Sequence, residues 1–240
     1  MKTFIVFFKF FSVFLFLWNL LLSEVYADVY NANVQRIIQL ANSGDRQAQV
    51  KLGLMYEKGQ AVTQDYQKAM EWYMKAAAQG DSNAQYNLGL MYENEKGVSL
   101  DYYEAIEWYT KAAEQRNSKA QVKLGLMYEK GLGVTQDYNE AIEWYMKAAE
   151  QGDSNAQFKL GVMYTKGRGV SKDYQEAVEW FSKAAEQGHS QAQYNLGLFY
   201  EKGKGVNQNY GSAKEWFEKS CAKGMQKGCD KYEEFNKNGY

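Results

Sequence analysis

One stretch of 36 residues decides the fold of this chain: "AQVKLGLMYEKGLGVTQDYNEAIEWYMKAAEQGDSN", Ala120 to Asn155. Its pattern restarts every 36 residues, and no insertion or deletion separates one start from the next. A constant period of this length is typical of proteins built from stacked helical repeats. The five starts are Ala48, Ala84, Ala120, Ala156 and Ala192.

Two amphipathic helices are predicted in each repeat. Ala120, Leu124 and Tyr128 fall on one face of the first helix, because they are spaced at i, i+4 and i+8. The glycine-rich break "KGLGV" follows, and Asp137 then stands where a second helix needs an N-cap. Gly152 provides the C′ glycine that ends this second helix. The apolar stripe of the second helix is formed by Ala141, Trp144, Tyr145 and Ala148.

A helical hairpin of this kind carries an apolar face larger than it can bury alone, so neighbouring hairpins must stack. We therefore predict an all-α fold, a right-handed α-solenoid of helix-turn-helix repeats. The predicted organisation is a signal peptide at 1–27, an N-terminal half-repeat at 28–47, repeats at 48–83, 84–119, 120–155, 156–191 and 192–227, and a C-terminal cap at 228–240. Helical geometry places one tryptophan per repeat in the core between the helices: Trp72, Trp108, Trp144, Trp180 and Trp216.

The first residues, "MKTFIVFFKFFSVFLFLWNLLLSEVYADVY", predict a secretory signal peptide. Lys2 and Lys9 precede an apolar run over 10–22, and a small-residue cleavage site follows at 25–27. We expect cleavage after Ala27, export to the periplasm or secretion, and no membrane span after cleavage. The alternative is an uncleaved anchor over residues 4–22, a length that approaches a bilayer span if Lys9 is tolerated.

Charge and composition exclude some classes of partner. Without residues 1–27 the chain holds 26 basic and 28 acidic residues, a balance that argues against a nucleic-acid partner. Proline is absent and aromatic residues make up 16% of the chain, which suits a helical fold.

The repeat strongly resembles the Sel1-like repeat, a relative of the tetratricopeptide repeat. The resemblance rests on the leucine-glycine pair of the first helix, the G-x-G-V break, the aspartate cap and the W-Y/F-x-K-A-A-x-x-G end of the second helix, and it runs from about Asn33 to near the C-terminus. It implies a non-catalytic scaffold or adaptor that binds a protein or peptide, often in bacterial envelopes or at the host interface. Departures from the pattern fall at turns and caps: Ala61, Glu95, Arg116 and Asn209.

Under this resemblance, partner binding falls to first-helix positions off the core face. One row is apolar or aromatic and consists of Val50, Tyr86, Val122, Phe158 and Tyr194. A second row is polar and consists of Lys51, Asn87, Lys123, Lys159 and Asn195. The alternatives are packing between adjacent repeats for the first row and an ordinary solvated face for the second. Together the rows would suit an extended peptide held by a monomer without cofactor or metal.

Two other functions stay open. Cysteine-rich relatives of this repeat are associated with penicillin binding and β-lactam hydrolysis, and Ser220 to Lys223 reads S-x-x-K, the nucleophile motif of that chemistry. However, neither S-D-N nor K-T-G occurs in the chain, and Ser220 aligns with Ala112 and Ala148, which predicts a buried or half-buried position. The remaining alternative is a structural envelope component that self-associates through its ends.

The only two cysteines, Cys221 and Cys229, lie in "SCAKGMQKGC" near the C-terminus. Redox chemistry, metal binding and a structural clip are the options. The spacing is not C-x-x-C, and the only histidine, His189, reads as a solvent-facing turn residue without a partner at metal spacing. Cysteine pairs at this spacing resemble those of cysteine-rich family members, where each clips a helix end to the next helix start. Since an exported chain meets an oxidising compartment, we predict a disulfide.

Overall fold

The computed structural model describes residues 32–239, so the predicted signal peptide lies outside the described residues. Within 32–239 every regular element is a helix. The helices are α1 (32–42), α2 (Arg46–Lys58), α3 (Tyr66–Ala78), α4 (Ser82–Glu93), α5 (Tyr102–Glu114), α6 (Ser118–Lys130), α7 (Tyr138–Glu150), α8 (Ser154–Lys166), α9 (Tyr174–Glu186), α10 (Ser190–Lys202), α11 (Tyr210–Ala222) and α12 (Gln226–Lys237).

The chain divides after Ala84 into two compact units. In the first unit α2 packs against α3, and Val34, Ala41 and Leu52 form a buried cluster. In the second unit each helix from α5 to α12 packs against the next one along the chain. This sequential packing of helical hairpins confirms the predicted all-α solenoid class.

The core of each hairpin is built on contact between an aromatic ring and a glycine. The Tyr145 side chain in α7 is fully buried, and its ring covers Gly125 in α6. A Cβ added at Gly125 would lie 2.5 Å from Cε1 of Tyr145, which is closer than packed atoms approach each other. Gly161 and Phe181 repeat the arrangement. The leucine-glycine pair of the sequence pattern is thus a packing requirement for the second-helix ring.

Side-chain caps begin the helices as predicted. Asp137 Oδ1 accepts hydrogen bonds from the backbone N–H groups of Asn139, at 2.8 Å, and Glu140, at 3.2 Å. Asn209, which stands at a capping aspartate position, accepts from the N–H of Ser212 at 2.9 Å. The departure at Asn209 therefore preserves the cap, because either side chain offers an oxygen acceptor.

The other three departures all lie in left-handed backbone. Ala61, Glu95 and Arg116 have φ of 63°, 55° and 64°, and they occupy positions where other repeats carry glycine. Gly131, which corresponds to Glu95, has φ of 69°. The turns keep their geometry, so the backbone of these three residues is held in a left-handed conformation that is unfavourable for any residue with a Cβ.

Replacing Glu95 with glycine should therefore stabilise the protein. The Glu95 side chain is exposed, so its removal costs little packing, and relief of left-handed strain is worth about 1 kcal/mol. Urea denaturation should show a higher midpoint for E95G. The matched reciprocal change, G131E, should lower the midpoint by a similar amount, and a lower midpoint for E95G would contradict the strain argument.

Candidate functional site

The apolar first-helix row packs onto the buried second-helix rings. Tyr86 lies over Tyr109, with 5.8 Å between ring centroids. Phe158 lies 5.9 Å from Phe181, and the Tyr194 ring lies 5.8 Å from that of Phe217. The three outer rings are half-buried, as are Val50 and Val122. The row therefore takes part in packing and also keeps one edge open to solvent.

Two lysines of the polar row, Lys123 and Lys159, pair with carboxylates of the preceding repeat. Lys159 Nζ lies 2.9 Å from Glu129 Oε2, and the Tyr145 hydroxyl donates to the same oxygen at 2.8 Å. Burial raises the pKa of Glu129, but hydrogen bonds from Lys159 and Tyr145 outweigh it, so the pKa lies below its ordinary value. We call such a set a Glu-Tyr-Lys triad. The same contacts join Glu93, Tyr109 and Lys123.

Repeat 4 carries a neutral version of the triad. Thr165 replaces the glutamate, Phe181 the tyrosine and Asn195 the lysine. Thr165 Oγ1 donates to the carbonyl of Gly161 in its own helix at 2.7 Å. The half-buried amide of Asn195 makes no hydrogen bond to another residue within 32–239. Repeats 1 and 5 change only one of the three positions: repeat 1 has Glu57 and Tyr73 with Asn87 in place of the lysine, and repeat 5 has Glu201 and Lys231 with Phe217 in place of the tyrosine.

The remaining members of the polar row differ in exposure. Lys51 is exposed and Asn87 is half-buried. Lys231 in α12 occupies the same position of the period, and its Nζ lies 2.8 Å from Glu201 Oε1. Sequence reasoning missed this last lysine because the family pattern fades in the cap, although the 36-residue spacing from Asn195 would have found it.

Each of the five repeat tryptophans is half-buried and is covered by a lysine of its own helix. In the second unit Trp144 packs beside the buried cluster of α5 and α6, and Trp180 beside that of α7 and α8. Lys147 Nζ lies 4.0 Å from the Trp144 ring centroid, a cation–π contact. The lysines that cover the five tryptophans are Lys75, Lys111, Lys147, Lys183 and Lys219.

A buried glutamine clips successive helices together. Gln121 Nε2 donates to the carbonyl of Ala113, eight residues earlier, at 3.1 Å. Gln121 Oε1 accepts in turn from Gln151 Nε2 at 2.7 Å. This clip was missed at the sequence level, but a glutamine follows the first alanine of every repeat and would have signalled it: Gln49, Gln85, Gln121, Gln157 and Gln193.

The disulfide replaces this clip at the C-terminal end. Cys221 is bonded to Cys229 with 4.5 Å between Cα atoms, which confirms the predicted pairing. The two cysteines occupy the positions of Ala113 and Gln121, so a covalent bond stands where other repeats have a hydrogen bond. Nearby, Lys223 replaces the glutamine that pairs with the clip, and the buried Gln193 Oε1 has no partner within 32–239.

The serine of the S-x-x-K motif, Ser220, packs inside the C-terminal hairpin region. The Ser220 side chain is fully buried, as predicted, and its hydroxyl donates to the carbonyl of Ser190 at 2.9 Å. A Cβ at Gly228 would lie 2.7 Å from Ser220 Oγ, so the glycine makes room for the hydroxyl. In this arrangement the hydroxyl cannot meet a substrate in solvent.

His189 is half-buried, which corrects the expectation of a solvent-facing turn residue. Its Nδ1 accepts from the N–H of Ala192 at 3.2 Å, so it serves as the N-cap of α10. The imidazole also stacks on Phe158, with ring centroids 4.6 Å apart. Burial lowers the pKa of His189, although a hydrogen bond to its own backbone and the charge of Asp153 oppose the shift.

This arrangement predicts a pH-dependent cap. Since the pKa of His189 is lower in the folded state, stability is complete above the unfolded pKa of about 6.5 and is lost as pH falls below it. Between about pH 7.5 and 5 the free energy of unfolding should fall by up to about 1 kcal/mol, the typical worth of an N-cap. H189N replaces the Nδ1 acceptor with an amide oxygen that does not titrate, like the one that Asn117 offers to α6. If the free energies of unfolding of the wild type and H189N, measured by denaturation, fell equally with pH, this role would be refuted.

Helical hairpins that stack in sequence, with a period of 36 residues, define a helical-repeat protein. The sequence profile of the Sel1 repeat matches residues 46–81, 82–117, 118–153, 154–189 and 190–225. These matches cover most of the chain, and the protein belongs to the Sel1 repeat family. No curated protein sequence matches it.

Solved structures from three bacteria are similar. The protective antigen c5321, present in uropathogenic Escherichia coli strains, shares 38% identity at a TM-score of 0.81 over 85% of this chain, which spans 44% of that protein. A Sel1 repeat protein from Oxalobacter formigenes shares 35% identity at a TM-score of 0.74, over 83% of this chain and 86% of that one. A Sel1 repeat protein from Klebsiella pneumoniae shares 29% identity at a TM-score of 0.54, over 85% of this chain and 99% of that one.

Among residues 32–239, no helix combines the length and apolar character that crossing a membrane requires.

Proposed function

We propose that this protein is an exported, non-catalytic scaffold that holds an extended segment of a protein partner on its first-helix face. The observation that carries the proposal is the open amide of Asn195, which lies in a face that also carries half-buried rings and the paired lysines Lys123 and Lys159. An extended peptide has exposed N–H and C=O groups, and an asparagine amide can donate to one and accept from the other. The face thus offers a fixed polar contact for a partner's main chain.

The side chains around Asn195 supply the apolar part of this site. Phe158 and Tyr194 each present a half-buried ring from neighbouring first helices. Val162 and Leu198, which follow them by four residues, are half-buried as well. Binding sites of high affinity combine aromatic anchors with a few polar groups that are shielded from water. Repeats 4 and 5 therefore form the centre of the proposed site.

Export is supported by the signal-peptide pattern at 1–27 and by the disulfide, since structural disulfides persist in oxidising compartments. The similarity to a protective antigen of E. coli agrees with export. We place the protein in the periplasm or outside the cell, as a monomer. The buried hydroxyl of Ser220 supports a role without catalysis.

Site-specific photo-crosslinking tests the proposed face. A crosslinking amino acid at position 195 should capture a partner during growth, and mass spectrometry should map the crosslink to one extended segment of that partner. The same amino acid at Glu143, an exposed position of a second helix, serves as the control. Equal capture at both positions would show that the first-helix face is not the binding site.

A triad variant gives an independent test that preserves the fold. T165E/F181Y/N195K installs in repeat 4 the charged triad that repeats 2 and 3 already accommodate. It removes the open amide while adding a paired lysine. The Kd for the identified partner should rise about tenfold, as expected for the loss of a main-chain hydrogen-bonding contact.

A further inference from the structure

The turns between the two helices of repeats 4 and 5 carry a cluster of positive charge. We call this surface the connector edge, formed by the segments 166–173 and 202–209. Its only acidic residue is Asp173, whose carboxylate is occupied as the N-cap of α9. No ion pair neutralises its basic residues within 32–239, and these residues are Lys166, Arg168, Lys172, Lys202 and Lys204.

Close packing fixes the backbone of the two turns that carry these charges. A Cβ at Gly169 would lie 2.5 Å from the carbonyl oxygen of Tyr138, and one at Gly205 would lie closer still to that of Tyr174. Each turn is therefore pressed against the start of the second helix in the preceding repeat. The backbone that carries the charges therefore needs little reordering when a partner binds.

The cations lie over tyrosine rings along this edge. The Arg168 guanidinium is 5.4 Å from the Tyr138 ring centroid, and Lys204 Nζ is 5.4 Å from that of Tyr174. Lys172 Nζ lies 4.8 Å from the Tyr174 ring as well. The pKa of Tyr174 is lowered by its hydrogen bond to Lys172 and, against a small effect of burial, by the charges of Lys172 and Lys204. The cations of Lys172 and Lys204 thus lie within electrostatic range of the Tyr174 ring.

The fold does not require these cations. Repeat 3 has Leu132 where repeat 4 has Arg168, and it has Gln136 where repeat 4 has Lys172. Gln136 Nε2 donates to the carbonyl of Glu129 at 2.8 Å and lies 3.2 Å from the Tyr138 hydroxyl, so a neutral side chain completes the turn. The charges of Arg168 and Lys172 are therefore additions to the repeat pattern, whereas Lys166 and Lys202 recur as Lys58 and Lys130.

We propose that the connector edge of repeats 4 and 5 binds an acidic segment of the partner protein, an inference that rests on the proposed scaffold function. Carboxylates suit this surface because arginine and lysine donate to them without needing an aromatic platform. Nucleic acid fits less well, since cations already lie over the faces of Tyr138 and Tyr174 on which bases would stack. The balanced charge of the whole chain also disfavours a nucleic-acid partner.

Fluorescence anisotropy with a defined acidic peptide tests the connector edge. The probe is a labelled peptide of alternating glutamate and serine, and the reference probe carries glutamine in place of glutamate. The variant R168L/K172Q/K204Q uses the residues found at equivalent positions in Leu132, Gln136 and Gln60, so the turns should keep their geometry. The Kd of the acidic peptide should rise about tenfold in this variant, and it should also rise with salt.

A control removes the same charge from another face. K111Q/K147Q/K183Q changes three lysines that lie over tryptophan rings, and it should raise the Kd less than about twofold. Equal effects of the two variants, or tighter binding of a single-stranded oligonucleotide than of the acidic peptide, would overturn the proposal. An unchanged Kd in the connector variant overturns it even where crosslinking at position 195 succeeds. Acidic-peptide binding that depends on the connector edge supports it even where that crosslinking fails, and then only the first-helix face is refuted.

Discussion

Replacing Cys229 with serine is expected to lower the free energy of unfolding of the C-terminal hairpin by about 2–3 kcal/mol. The disulfide closes a short loop, and in the chain-entropy model a loop of about ten residues contributes that amount. The hairpin of α11 and α12 depends on the bond because α12 has a neighbour on one side only among the described residues. The N-cap position of α12 is Met225, which makes no side-chain hydrogen bond to the helix.

Hydrogen exchange locates the effect. In C229S the amides of α12 should lose protection first, while those of α7 and α8 keep theirs. The unreduced wild-type protein should react with no thiol-alkylating reagent, since both cysteines are bonded. Equal protection of α12 in C229S and wild type would contradict the role of the disulfide as a terminal clip.

A matched variant distinguishes the effect of the covalent bond from that of a hydrogen bond at the same two positions. C221A/C229Q restores the alanine and glutamine that form the hydrogen-bonded clip at Ala113 and Gln121. It should regain about 1 kcal/mol of the loss, the net worth of a hydrogen bond. The expected order of stability is wild type, then C221A/C229Q, then C229S.

Replacing Lys159 with asparagine alone is expected to cost about 1–3 kcal/mol, because Glu129 then stays half-buried without its cation. The exposed fraction of the Glu129 side chain is 13%, so water replaces the lost partner poorly. The triple variant E129T/Y145F/K159N copies the residues of repeat 4, Thr165, Phe181 and Asn195, and should recover most of the loss. Chemical denaturation of the two variants measures the difference.

The stability of the wild type and that of the triple variant should also respond differently to acid. The pKa of Glu129 is lower in the folded protein, so its contribution is present above the unfolded value of about 4.5 and is lost as pH falls through the folded value. The wild type should lose this part of its stability in acid, and the triple variant has no Glu129 to lose. If K159N and the triple variant were equally destabilised, the triad would not act as a unit.

The hairpins, their caps and the stacking could be predicted because they follow from local rules with a repeated period. Asp137 and Gly152 mark helix ends, and Ala120, Leu124 and Tyr145 mark apolar faces. The disulfide could be predicted once the period aligned Cys221 and Cys229 with a helix end and the following helix start. Each of these inferences needs only neighbours in sequence or one repeat length.

The candidate site was less predictable, since it depends on side chains about 30 residues apart. The polar row reads as solvated lysine and asparagine, yet Lys159 is paired with Glu129. His189 reads as an exposed turn residue, yet it caps α10 and stacks on Phe158. Which charges are already satisfied, and hence which residues remain free to bind, is decided by contacts between repeats.

The sequence by itself determined the class of fold, the length of every repeat and the place of the disulfide. These properties rest on periodicity, on glycine turns and on capping residues, which act within one hairpin. Only the tertiary structure decided that His189 caps α10, that the Lys123 and Lys159 charges are paired, and that Asn195 and the connector cations are left open. The reason is that burial and pairing depend on which atoms stacking brings within a few ångströms, and residues of the same type at the same repeat position can differ in both.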